Sequence, residues 1–85
     1  MEIENLRKEI DEIDLSLASL FEKRLDLAKK IGKYKKENNL PITFSEREKQ
    51  VSDNITNNIK PEYEREAQLF AAGLISAGKS VQRKL

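Results

Sequence analysis

The stretch IENLRKEIDEIDLSLASLFEKRLDLAKKIGKYKKEN, residues 3–38, decides the fold. Within it Ile3, Leu6, Ile10, Ile13, Leu17, Leu20, Arg24, Leu27, Ile31 and Tyr34 alternate in steps of three and four without a break. That is a heptad seam, and only Gly32 interrupts the run of ordinary helix formers. A helix of this span would be ~50 Å long, since each residue adds ~1.5 Å. A single small globule is narrower than that, so much of the helix must pack against something outside its own chain. A period of 3.5 makes another long helix the expected partner.

Composition points the same way. The chain has 85 residues, enough for one domain, taken here as residues 1–85. Charged residues make up 36% and hydrophobic residues 38%, so a monomeric core would be thin. The apolar surface must lie along narrow helix stripes or be completed by a second copy of the chain. Sixteen Lys and Arg nearly cancel fifteen Asp and Glu, which leaves no basic field for nucleic acid. The absence of Cys and His excludes disulfides, a thiol nucleophile, most zinc sites and the commonest general base at neutral pH. No apolar run approaches the ~20 residues of a membrane span, and the acidic start Met1-Glu2-Ile3-Glu4 has no signal-like core. A soluble, cytoplasmic protein is expected. Its chemistry must rest on arginine, lysine, carboxylates, amides and hydroxyls.

Downstream, Asn38-Asn39 and Pro41 end the long helix. Ser45-Glu46-Arg47-Glu48 reads as a capping box opening a second helix, with Val51, Ile55 and Ile59 on one face. Pro61 suits the first turn of a third helix, whose stripe is Tyr63, Ala67, Phe70, Leu74, Ala77 and Val81. Gly73 and Gly78 in its interior suggest that another helix or a ligand comes close. The expected fold is all-α, with a long, a short and a medium helix per protomer in an interlocked homodimer.

Several residues stand out from this pattern. Arg24 occupies a seam position and needs a partner: an ion pair with Glu48 or Asp14, a polar layer in a coiled coil, or an anionic ligand. Lys35 lies almost three turns on and faces the same way, so it completes an anion pocket with Arg24 or is solvated within Lys33-Tyr34-Lys35-Lys36. Arg7 is ~25 Å from Arg24 along the axis and on another face. Either it is a surface arginine, or it meets Arg24 across antiparallel helices of a symmetric dimer. Glu48 leans toward the core face of the second helix, where the capping box already accounts for it. Gln82 falls on an inward face one turn past Gly78, near an end where glutamines are usually solvated.

The motifs Leu6-Arg7-x-x-Ile10-Asp11-x-Ile13-Asp14, Leu20-x-x-x-Arg24-x-x-Leu27-Ala28, Ile31-Gly32-x-Tyr34-Lys35, Leu40-Pro41-Ile42 and Arg47-Glu48-Lys49-Gln50-Val51, with Gln82 near the end, resemble the all-helical chorismate mutases along essentially the whole chain. The resemblance implies rearrangement of chorismate to prephenate, a pericyclic step needing no cofactor, metal, covalent intermediate or proton transfer. It further implies that Arg24, with Arg7 from the other subunit, holds the two substrate carboxylates. Lys35 and Gln82 would hydrogen-bond the ether oxygen, Glu48 would accept from the ring hydroxyl, and Arg47 would line the site.

Two positions depart from the family pattern. Phe44 stands where an acidic residue is frequent, and Gly78 where a polar residue faces a substrate carboxylate, with Ser76, Lys79 and Ser80 as neighbours. Two other functions fit the same helices: an isochorismate-pyruvate lyase, disfavoured by the Leu40-Pro41-Ile42 to Arg47-Glu48 stretch, and a catalytically silent helical regulatory or interaction dimer.

Overall fold

The computed structural model describes residues 1–85. Helix α1 runs Glu2–Glu37, α2 Ser45–Thr56 and α3 Glu64–Arg83, with a 3-10 turn at Pro61–Tyr63 leading into α3. The protomer measures 55 × 25 × 14 Å, and the first dimension is the length of α1.

Local chemistry sets the boundaries. At the end of α1, Asn39 takes the left-handed conformation (φ 54°) that asparagine tolerates better than most residues. The Leu40 N–H then donates to the Lys35 carbonyl (2.8 Å) and the Asn39 N–H to the Lys36 carbonyl (3.3 Å), which is a Schellman closure. The Asn38 side-chain amide adds a bond to the Tyr34 carbonyl (2.8 Å).

The capping box expected at Ser45 does not form. Phe44, in extended geometry, is the N-cap residue of α2, and its carbonyl accepts the Glu48 N–H at 3.0 Å. Ser45 is already helical, and the Glu48 carboxylate is engaged by an ammonium on α3 instead. Pro61 opens the 3-10 turn, so the α-helix proper begins three residues after Pro61, at Glu64.

Helix α3 is central and packs on both α1 and α2. The five buried residues, Ala28, Gly32, Ala67, Ala71 and Gly78, are all small, and no large side chain is fully buried. Helices approach closely where side chains are short, but such contacts bury far less apolar area than leucine or phenylalanine would. The heptad seam is not the face that α1 turns to α3. Ile10, Ile13 and Leu20 on the seam are each more than half exposed, and every residue from Met1 to Leu20 lies open to solvent. The face packed on α3 carries Ala28 and Gly32, with Arg24 and Lys35 at its margins. The expected stripe of α3 holds in part: Ala67 is buried and Leu74, Ala77 and Val81 are half-buried, whereas Phe70 and Tyr63 remain nearly half exposed and Ala71, outside the stripe, is buried.

Alongside this seam, Leu17, Leu20 and Phe21 face Leu69, Phe70 and Leu74 across an apolar groove of ≈ 830 Å³. Gly73 borders the groove, and a Cβ there would meet nothing within 4 Å, so the close approach expected at this glycine is not made inside the protomer. Gly78 does meet it: a Cβ would lie 3.8 Å from the Ala28 Cβ. No helix is long and apolar enough to cross a membrane.

Candidate active site

A cleft of ≈ 270 Å³ opens where the C-terminal half of α1, the loop after it, α2 and the end of α3 converge. Leu27, Ala28, Ile31, Val51 and Ile75 form much of its apolar wall. Into this wall project Arg24, Lys35, Arg47, Glu48, Lys79 and Gln82. Four cations therefore surround one carboxylate in a space at the small end for a metabolite site. Five of the six residues singled out from sequence line this cleft. The sixth, Arg7, lies on the exposed first half of α1, ~25 Å along the axis from Arg24.

Arg24 is half-buried, and its only hydrogen bond goes from Nη1 to the Leu74 carbonyl of α3 (3.2 Å). The ion pair with Glu48 or Asp14 considered from sequence is absent: the protomer's two ion pairs are Met1 N-terminus–Glu4 and Lys79–Glu48. A guanidinium has five N–H donors, so most of Arg24's fork remains available to an anion.

Lys35 is tied down on three sides. Its Nζ donates to the Ile42 carbonyl (2.8 Å) and to Gln82 Oε1 (3.1 Å), and it lies 5.0 Å from the centre of the Phe44 ring. Burial is the main cause holding its pKa below the usual 10.5; Glu48 pulls it up, and Lys79 pushes it down further. The aromatic face in place of an acidic side chain thus supports the ammonium without competing for its protons. Gln82 accepts from Lys35 and donates from Nε2 to the Ala28 carbonyl (3.0 Å). These bonds leave one N–H on Lys35 and one on Gln82 uncommitted.

Glu48 stands on α2 with its carboxylate bridged by Lys79 Nζ, 3.2 Å from Oε2 and 3.4 Å from Oε1. Arg47 reaches Gln50 Oε1 at 3.4 Å and is otherwise exposed. Three contributors to the site carried little sequence signal. Lys79 lies three residues before Gln82, on the same face of α3, a spacing that could have singled it out. The Ile42 and Ala28 carbonyls are backbone groups that no residue type announces. Gly32 permits the approach that seats Gln82: a Cβ there would fall 2.8 Å from Gln82 Cγ and 2.8 Å from Leu85 Cδ1.

Fold and cleft together define a small all-helical module whose cleft gathers four cations around one carboxylate, in a chain without cysteine or histidine. The family model for chorismate mutase type II matches residues 6–83. The chain belongs to that family, and its domain is of the chorismate mutase, isomerase kind. It is 46% identical over 54 residues to the bifunctional chorismate mutase/prephenate dehydratase of Aquifex aeolicus, a match covering 64% of this chain and 15% of that protein. It is 48% identical over 46 residues to the T-protein of Haemophilus influenzae, covering 54% and 12% respectively. The chain thus spans a small fraction of the length of these relatives. Among solved structures, a conserved hypothetical protein from Pyrococcus furiosus superposes with a TM-score of 0.78 at 39% identity, over 96% of each chain.

Proposed function

We propose that this chain converts chorismate to prephenate as a homodimer in which each site is completed by Arg7 of the other subunit, and that it serves the supply of aromatic amino acids. The observation that carries the reading is the convergence of Arg24, Lys35, Glu48 and Gln82, scattered over three helices, on one cleft. The reaction is a Claisen rearrangement: the ether C–O bond breaks as a C–C bond forms within one molecule, and no proton is transferred. A protein accelerates such a step by holding the flexible enolpyruvyl arm over the ring and by stabilising the charge that gathers on the ether oxygen.

Each residue has a role suited to its position. Arg24 grips one substrate carboxylate through its free guanidinium donors, a geometry that lysine cannot reproduce. Lys35 and Gln82 donate their remaining N–H groups to the ether oxygen, and burial strengthens that interaction. Glu48 accepts from the ring hydroxyl, and Arg47 borders the opening. Phe44 gives the site no side-chain acceptor, so any contact there would use backbone.

Arg7 reaches a site only from a second chain. The exposed seam on α1, the apolar groove beside it and the lack of any fully buried large side chain support an antiparallel pairing of two α1 helices. A lyase would need the same cations but would release pyruvate.

Two measurements test the reading. Loss of chorismate with prephenate as sole product supports the mutase; pyruvate supports a lyase, and no turnover refutes both. Arg7→Ala and Arg24→Ala should each be nearly inactive, yet refolded together in equal amounts they should regain about a quarter of parental activity, because half the dimers are mixed and one site of each is intact. Dimers that form but stay inactive on mixing would refute the shared site.

A further inference from the structure

The Lys79–Glu48 bridge is the cleft's one internal ion pair, and it links α3 to α2 across the wall. Both side chains are about three-quarters covered, at 24% and 29% exposure, so the pair is screened less than a surface bridge. Lys79 contacts both carboxylate oxygens, using one acceptor position on each and leaving the others free. The remaining cations of the cleft, Arg24, Lys35 and Arg47, make no ion pair with Glu48 or with any other carboxylate of the protomer.

This is a division of labour. A dianion entering the cleft needs cations that are not already spent, and it must not meet an uncompensated negative charge. We propose, resting on the functional reading above, that Lys79 is a positioning residue which neutralises and fixes Glu48, so that Glu48 presents an acceptor to the ligand's hydroxyl while Arg24 and Arg47 stay free for its carboxylates and Lys35 for its ether oxygen. Without Lys79 the carboxylate would repel the ligand and draw the exposed Arg47 toward itself, while Lys35 stays held by Ile42 and Gln82. The main consequence is weaker binding rather than slower rearrangement, because the ether-oxygen donors are untouched.

The test is steady-state kinetics on chorismate with Lys79→Met, Lys79→Arg, Glu48→Gln and the Lys79→Met/Glu48→Gln pair, each checked by circular dichroism for helix content. Lys79→Met should raise KM roughly tenfold, as truncating one partner of a partly buried charge pair does, with kcat within about threefold of the parent. Lys79→Arg should recover most of the affinity. In the Glu48→Gln background no bare charge remains, so Lys79→Met should add less than about a twofold change. Should Lys79→Met lower the yield of folded protein, Lys79→Gln repeats the measurement with a polar tip.

An unchanged KM in a folded Lys79→Met protein overturns the proposal. So does an undiminished tenfold loss in the Glu48→Gln background, which would mean that Lys79 acts on the ligand itself. A parent protein that does not turn over chorismate would remove the functional reading and this inference with it. An active parent beside an indifferent Lys79→Met removes this inference alone.

Discussion

Replacing Gly32 by alanine adds one methyl at the point where the end of α3 crosses α1. That methyl would sit 2.8 Å from Gln82 Cγ, 3.2 Å from Gln82 Cβ and 2.8 Å from Leu85 Cδ1. Leucine's terminal methyl can rotate away at small cost, but Gln82 is held at both ends of its amide by Lys35 and Ala28. Restoring an ordinary carbon–carbon separation of ~3.8 Å requires Gln82 to retreat by about 1 Å. Two effects then oppose each other in stability. Alanine is favoured over glycine in a helix interior by about 1 kcal/mol, while overpacking costs about 1–3 kcal/mol. The net change is a loss of about 0–2 kcal/mol, too small to unfold the protein.

The effect on catalysis is larger, because a donor misplaced by ~1 Å can lose ~100-fold in rate. Gly32→Ala should therefore lower kcat for prephenate formation far more than it lowers the thermal midpoint. The loss should nearly vanish in a Gln82→Ala background, where the displaced amide is already gone. A Gly32→Ala enzyme with parental kcat would refute the argument that this close approach positions Gln82.

Two further outcomes follow from the site. Since burial lowers the Lys35 pKa, kcat/KM should fall on the alkaline side with a midpoint below 10.5; Glu48→Gln should move that midpoint down, Lys79→Met should move it up, and a midpoint at or above 10.5 in the parent would contradict the role given to Lys35. The sign for stability is the reverse of a salt bridge's: between the lowered pKa and 10.5 the unfolded chain holds more protons, so Lys35's contribution rises with pH across that window and is least favourable below it. Arg24→Lys should keep the fold, because only one bond to the Leu74 carbonyl is at stake, yet lose most of kcat/KM through the missing guanidinium fork; activity preserved with a lowered thermal midpoint would make Arg24 structural.

The primary structure by itself determined the helices and their order. The seam from Ile3 to Tyr34, Asn38-Asn39 with Pro41, and Pro61 are local signals, so the three helices emerge within a few residues of where the pattern puts them. The cleft residues Arg24, Lys35, Glu48 and Gln82 were legible because a charged or amide side chain on an inward helix face requires a partner and because their spacing matches a family motif; Arg47 was legible from the motif alone. What each of them bonds to was not legible. Arg24 rests on the Leu74 carbonyl rather than on a carboxylate, Glu48 turns from its own N-terminus to Lys79, and Lys35 and Gln82 are fixed by carbonyls of Ile42 and Ala28. These partners come from other helices or from backbone, and a one-dimensional pattern lacks the crossing geometry that brings them within hydrogen-bond reach. The same limit explains the exposed seam of α1 and the exposed aromatics on the α3 stripe. Periodicity marks which residues avoid water, but Ala28, Gly32, Ala71 and Gly78 meet inside the protomer because they are small enough to let helices touch, while the larger seam residues stay outside it.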